Sequence, residues 1–177
     1  MAIPLCLDTL LLMMVVTAAA NDLLTRRIPN LLLLAGALGA LTLHGLSPSP
    51  VTALTAAFSG VAVGLLIFMP LYCLRGMAAG DIKLMAAAGF FNTPVEMLQL
   101  ALITVCVGGL MALVVIISNG RLRAAIVNVR SLLRPLWMRI VGVHLAPEPM
   151  PGPSVGSIPY GLAIACGTLL VLAQRHS

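Results

Sequence analysis

Five carboxylates and ten basic side chains are all the formal charge this 177-residue chain carries. Three of the acids, Asp8, Glu96 and Glu148, fall at the outer ends of apolar runs or in loops, where water can solvate them. Asp22 and Asp81 differ. Asp22 follows the apolar run Leu5–Ala20 and precedes Arg26 and Arg27, while Asp81 opens the apolar run Ile82–Phe91. Ionisable groups at such depth are costly and functional by default. Two carboxylates brought together cannot both ionise easily, so the pair holds one proton between them. The ionised member takes a proton from a water and the protonated member donates one to a carbonyl oxygen. Gly80, just before Asp81, has no Cβ and lets backbone or a substrate strand come close. Arg26, Arg27 and Lys83 are near enough in sequence to bias the pair toward ionisation. They serve equally well as topology signals and lipid-headgroup contacts. On spacing alone other readings stay open: helix-end residues with no chemistry, or cation or proton ligands in a small carrier.

The elements that must position these groups are membrane helices. Sixty per cent of the residues are hydrophobic and 8% charged, against about 45–50% and about a quarter in soluble domains. That excludes a disordered chain and an ordinary soluble domain. Six apolar runs are visible: Leu5–Ala20, Leu31–Leu46, Val51–Leu74, Ile82–Phe91, Val95–Ser118 and Ile158–Ala173. Thr17–Ala20 resembles a signal-peptidase site, but no basic residue precedes the first run. It is therefore expected to be a retained helix with its N-terminus outside. The fourth run is short, about 24 Å of helix even when counted from Gly76, against a hydrocarbon core of about 30 Å. Parity still requires it to cross. Only then do Arg121, Arg123, Arg130, Arg134 and Arg139 fall in the cytoplasm, as the positive-inside rule demands. This topology puts Arg175 alone among the basic residues on the outer side, and brings Asp22 and Asp81 together at the cytoplasmic edge. The expected fold class is all-α integral membrane, six transmembrane helices forming a single domain over residues 1–177.

Between the last two spans, Leu122, Ile126, Val129, Leu133, Leu136 and Ile140 recur at steps of four and three. That is an amphipathic stripe. It predicts a cytoplasmic-side helix on the inner leaflet, within a segment of about 119–156, interrupted at Pro135. Binding of a partner helix is the alternative. The net charge of +5 is an orientation signal, and no nucleic-acid partner is expected. Cys6, Cys73, Cys106 and Cys166 lie far apart in apolar runs, and His44, His144 and His176 do not cluster. Neither a metal nor another cofactor is expected.

At the two aspartates the chain resembles a known family. Asn21-Asp22-Leu23-Leu24-Thr25-Arg26-Arg27-Ile28-Pro29-Asn30 is similar to the first aspartate motif of the type IV prepilin peptidases. Gly76-Met77-Ala78-Ala79-Gly80-Asp81-Ile82-Lys83-Leu84 resembles their second, the GxGD motif. Ser157-Ile158-Pro159-Tyr160-Gly161-Leu162-Ala163 is similar to their C-terminal segment. The three matches keep the family's order. The resemblance implies an integral-membrane aspartic endopeptidase of the bacterial inner membrane with Asp22 and Asp81 as its catalytic pair. Its substrate would be a prepilin, cut at the cytoplasmic face between a short basic leader and a hydrophobic helix. Asn21, Asn30, Lys83 and Tyr160 lie within the motifs and are candidates to orient the pair or the substrate, beside plainer roles as a helix cap (Asn30) and an interfacial charge (Lys83). The sequence departs from the pattern at Ala78, where the motif has glycine. Paired CxxC motifs of the larger, methylating members are absent from it. The short form, similar to the peptidases of tight-adherence (Flp) pili, is therefore expected, without N-methyltransferase activity. An inactive pilus-assembly factor is a further alternative.

Overall fold

A computed structural model describes residues 2–73, 76–120, 122–123, 126–127, 129–130 and 160–176. Contacts divide the chain into two compact units, residues 1–108 with 159–177, and residues 109–158. Among the described residues every regular element is a helix: α1 (Ala2–Thr25), α2 (Asn30–Gly45), α3 (Pro50–Cys73), α4 (Ala79–Gly89), α5 (Pro94–Ser118) and α6 (Tyr160–His176). Three of these, α1, α3 and α5, are long and apolar enough to cross a membrane; α2 is apolar but shorter. Of the expected amphipathic segment, residues 122, 123, 126, 127, 129 and 130 are helical, with Leu122, Ile126 and Val129 exposed. Its remainder, with Pro135, lies outside the described residues.

Local chemistry fixes the helix ends. Pro50 and Pro94 open α3 and α5, where a missing N–H costs nothing. Thr93 and Glu96 form a capping box, the Glu96 carboxylate accepting from the Thr93 N–H at 2.8 Å. Past the end of α1, the Arg26 N–H donates to the Asp22 carbonyl at 3.0 Å. Arg26 takes the left-handed conformation, φ 55°, which costs a residue with a Cβ roughly 1–2 kcal/mol. The chain is thus turned sharply just after Asp22, and Pro29 then leads into α2.

The short α4 is the centre of the first unit. It touches α1, α2, α3 and α6. Asp81, Ile82, Leu84, Met85, Ala87, Ala88 and Gly89, most of its length, are buried. A helix enclosed by others does not have to match a bilayer's thickness, so its 11 residues need neither thinning nor tilt. The crossing of α3 and α4 is backbone-close. A Cβ on Gly89 would lie 2.6 Å from the Cα of Val61, and one on Gly60 would press into the carbonyls of Gly89 and Asn92. Small residues permit such approach between apolar helices.

The helix ends gather into two polar layers. At one end Arg175 of α6 pairs with Asp8 of α1 and, at 3.0 Å, with Glu96 of α5. It also donates to the Asn92 side chain at 3.1 Å, and His176 lies 2.9 Å from Asp8. His44 of α2 meets the Phe90 carbonyl at 2.8 Å. The sequence reading had Asp8 and Glu96 as solvated surface charges. Asp8 is instead buried, 5% exposed, and both acids hold Arg175. The pairing joins residues more than 160 apart, which no local pattern displays. The other layer contains Asp22, Asp81 and the start of α6.

The two layers are close. Asp8 and Asp22 are separated by about 21 Å of α1, at 1.5 Å per residue. Exposed apolar side chains on the same helix run from Leu5 to Leu24, about 29 Å. Both polar layers therefore lie inside the height of the apolar surface, where an unpaired charge is expensive. Replacing Arg175 with Met should leave Asp8 facing only His176. The expected loss is on the order of 2 kcal/mol, below the roughly 3–5 of a fully buried broken pair because water reaches Arg175. A thermal-unfolding midpoint in detergent clearly below that of the unaltered protein is expected; an unchanged midpoint would show that the network contributes nothing.

Candidate active site

Asp22 comes from the last turn of α1, and Asp81 from the first turn of α4. Both are buried, 8% and 5% exposed. They are close enough for the charge of Asp22 to act on Asp81. Two helices of opposite direction thus bring their carboxylates to one end of the unit. The backbone at position 78 does not require glycine. Ala78 is the N-cap of α4 in ordinary extended conformation, φ −78° and ψ 153°, so the departure from the GxGD pattern leaves the turn before Asp81 intact.

The third element at this end is α6. Tyr160, its first residue, is half-buried, and the charge of Asp81 reaches its hydroxyl. The Gly161 N–H donates to Asp22 Oδ2 at 3.0 Å in a buried hydrogen bond. The motif Ser157–Ala163 contains Gly161, but nothing in its letters marks that glycine above its neighbours. Its place at the first turn of a helix, beside a candidate tyrosine, was the available signal.

The remaining sequence candidates are placed differently. Lys83 donates to Asn30 Oδ1 at 3.2 Å, tying α4 to α2 on the exposed side. Asn30 is therefore no cap: the N-cap of α2 is Pro29, with no side-chain hydrogen bond. Asn21 donates its amide to the Thr17 carbonyl, one turn back on its own helix, at 2.9 Å. A Cβ on Gly80 would meet nothing nearer than Ile28 at 3.6 Å. Packing therefore leaves room for alanine there, and the fold does not explain the glycine. Among the described residues no three His, Cys, Asp or Glu side chains converge as a metal site would need, and His144 lies outside them.

Chemically, the arrangement offers two buried carboxyl groups within each other's field. One is held by a backbone donor, and the charge of the other acts on the Tyr160 hydroxyl. Such a pair can share a proton and polarise a water.

The family model described as the type IV leader peptidase family matches residues 9–113, which include both aspartates but not α6. No curated protein and no solved structure matches the chain. The match covers more than half of the chain, and the chain belongs to the type IV leader peptidase family.

Proposed function

We propose that this protein is a membrane-embedded aspartic endopeptidase that removes the short basic leader from Flp-type prepilins. The observation that carries the reading is the pair Asp22 and Asp81, buried, from different helices and within reach of each other's charge, inside the stretch matched by the leader-peptidase family. In the mechanism, one carboxylate takes a proton from a water as it attacks the scissile carbonyl. The other, protonated, donates to the carbonyl oxygen; the first then passes the water's proton to the leaving amine as the C–N bond breaks, and the second recovers its proton from the diol hydroxyl as the carbonyl re-forms. No cofactor takes part, and methylation of the new N-terminus is not among its activities.

Six helices crossing the bacterial inner membrane, the whole chain acting as one domain, suit this reading. The positive-inside rule then sets the N-terminus outside and the aspartates at the cytoplasmic edge. A prepilin, with basic leader in the cytoplasm and apolar helix in the bilayer, presents its junction at that edge. Lys83 and Asn30, bonded to each other on the exposed side of α4 and α2, would bind the backbone of such a substrate, and Tyr160 the scissile carbonyl. Asn21 supports the last turn of α1.

Co-expression with an Flp-type prepilin tests the reading by a mobility shift. Asp22→Asn and Asp81→Asn should each lower processing at least a hundredfold while the protein still accumulates in the membrane. Full processing by either variant would remove that residue from the catalytic pair. Gly80→Ala should fold as stably as the unaltered protein, because the added methyl meets only ordinary contact. It should process the prepilin at least tenfold more slowly if the glycine exists to let the substrate backbone approach. Normal processing by Gly80→Ala would exclude that contact.

A further inference from the structure

Fourteen residues separate Asp8 from Asp22 on α1, and fourteen separate Gly161 from Arg175 on α6. The helices run antiparallel and meet at both places. Arg175 pairs with Asp8, and Gly161 donates to Asp22. The ion pair at one end therefore sets the register that delivers the Gly161 amide to the carboxylate at the other.

Gly161 is the second residue of α6. The first-turn amides of a helix have no acceptor within it, and they carry the positive end of the helix dipole. Here such an amide points at a buried carboxylate oxygen 3.0 Å away. The packing around that bond is tight. A Cβ built on Gly161 would lie 3.0 Å from both Asp22 Oδ2 and Asp22 Cβ, and 3.3 Å from Asp22 Cγ. The carboxyl group is seated directly against the Cα of Gly161. Asp22 has a short side chain on the last turns of α1, so it has little freedom to yield.

We propose that Gly161 is a positioning residue for Asp22. Its N–H occupies Oδ2 and fixes the plane of the carboxylate, leaving Oδ1 for the water and the proton shared with Asp81. The absence of a Cβ is what lets the carboxylate reach that amide. Gly161 acts through Asp22. The role rests on the peptidase reading above; the hydrogen bond itself does not.

The test has one arm on each. With ¹⁵N-glycine-labelled protein in detergent micelles, the Gly161 amide is expected to exchange slowly and to resonate downfield. In Asp22→Ala the resonance should move upfield and exchange at least tenfold faster. In Asp81→Ala it should stay close to its original position. A Gly161 amide that ignores Asp22→Ala overturns the proposal whatever the activity. In the second arm, Gly161→Ala should lower kcat for prepilin cleavage at least thirtyfold with KM within twofold. Ala165→Gly, which weakens α6 away from Asp22, should leave kcat per folded molecule unchanged. A normal kcat in Gly161→Ala, or an equal loss in Ala165→Gly, overturns the positioning role. If Gly161→Ala does not accumulate, the amide arm decides by its own criteria. If the unaltered protein leaves the prepilin intact, the peptidase reading falls and the positioning role with it, while the amide arm still reports whether the bond exists.

Discussion

An apolar bundle has few means of fixing one helix against another, because side chains of similar shape and no polarity pack almost as well one turn away. In this protein the α1–α6 pair escapes that degeneracy through polar contacts at two places, Arg175 and His176 with Asp8 and Gly161 with Asp22. Slipping α6 by a turn would break both. Each would leave a buried carboxylate without its partner, a penalty of several kcal/mol per group at such depth. The same two contacts that define the register also build the site. One sets the far end of α6, and the other is a donor to a catalytic candidate. Glu96 serves both purposes again: it caps α5 through Thr93 and accepts from Arg175, so α5 is tied into the same frame.

The second constraint is the enclosure of α4. Asp81 sits in its first turn, and the helix is surrounded by α1, α2, α3 and α6. Its glycine-rich crossing with α3 lets the backbones touch, which leaves no slack for α4 to slide. A carboxylate on such a helix is held as firmly as one on a long span. The exposed, longer helices α3 and α5 carry the lipid-sized apolar surface, and α4 is free to be as short as the site requires.

Much of this was legible in the sequence because apolar runs end at proline, glycine or a charge. The runs Leu31–Leu46, Val51–Leu74 and Val95–Ser118 fall within a residue of α2, α3 and α5 at either end. Asp22 and Asp81 stood out because a carboxylate is conspicuous at the edge of an apolar run. What escaped was pairing over long sequence distance. Helix α6 continues past Ala173 to His176 because Arg175 finds Asp8 and Glu96. Composition alone makes Gln174–Ser177 look like a solvated tail. Helix α1 likewise runs on through Asn21–Thr25, its polar last turns held by Thr25 on the Asn21 carbonyl and by Asp22 on Gly161. The bond from Gly161 was hidden for another reason: a backbone donor has no letter in the sequence.

The central claim is that the two aspartates act together on a prepilin. Its most direct measurement uses the purified chain in proteoliposomes with a synthetic prepilin spanning leader and apolar helix, the products weighed by mass spectrometry. The unaltered protein should make a single cut between leader and helix, and none should appear when Asp22 and Asp81 are both replaced by Asn. An intact peptide with the unaltered protein, or the same cut with the doubly substituted one, would contradict the claim.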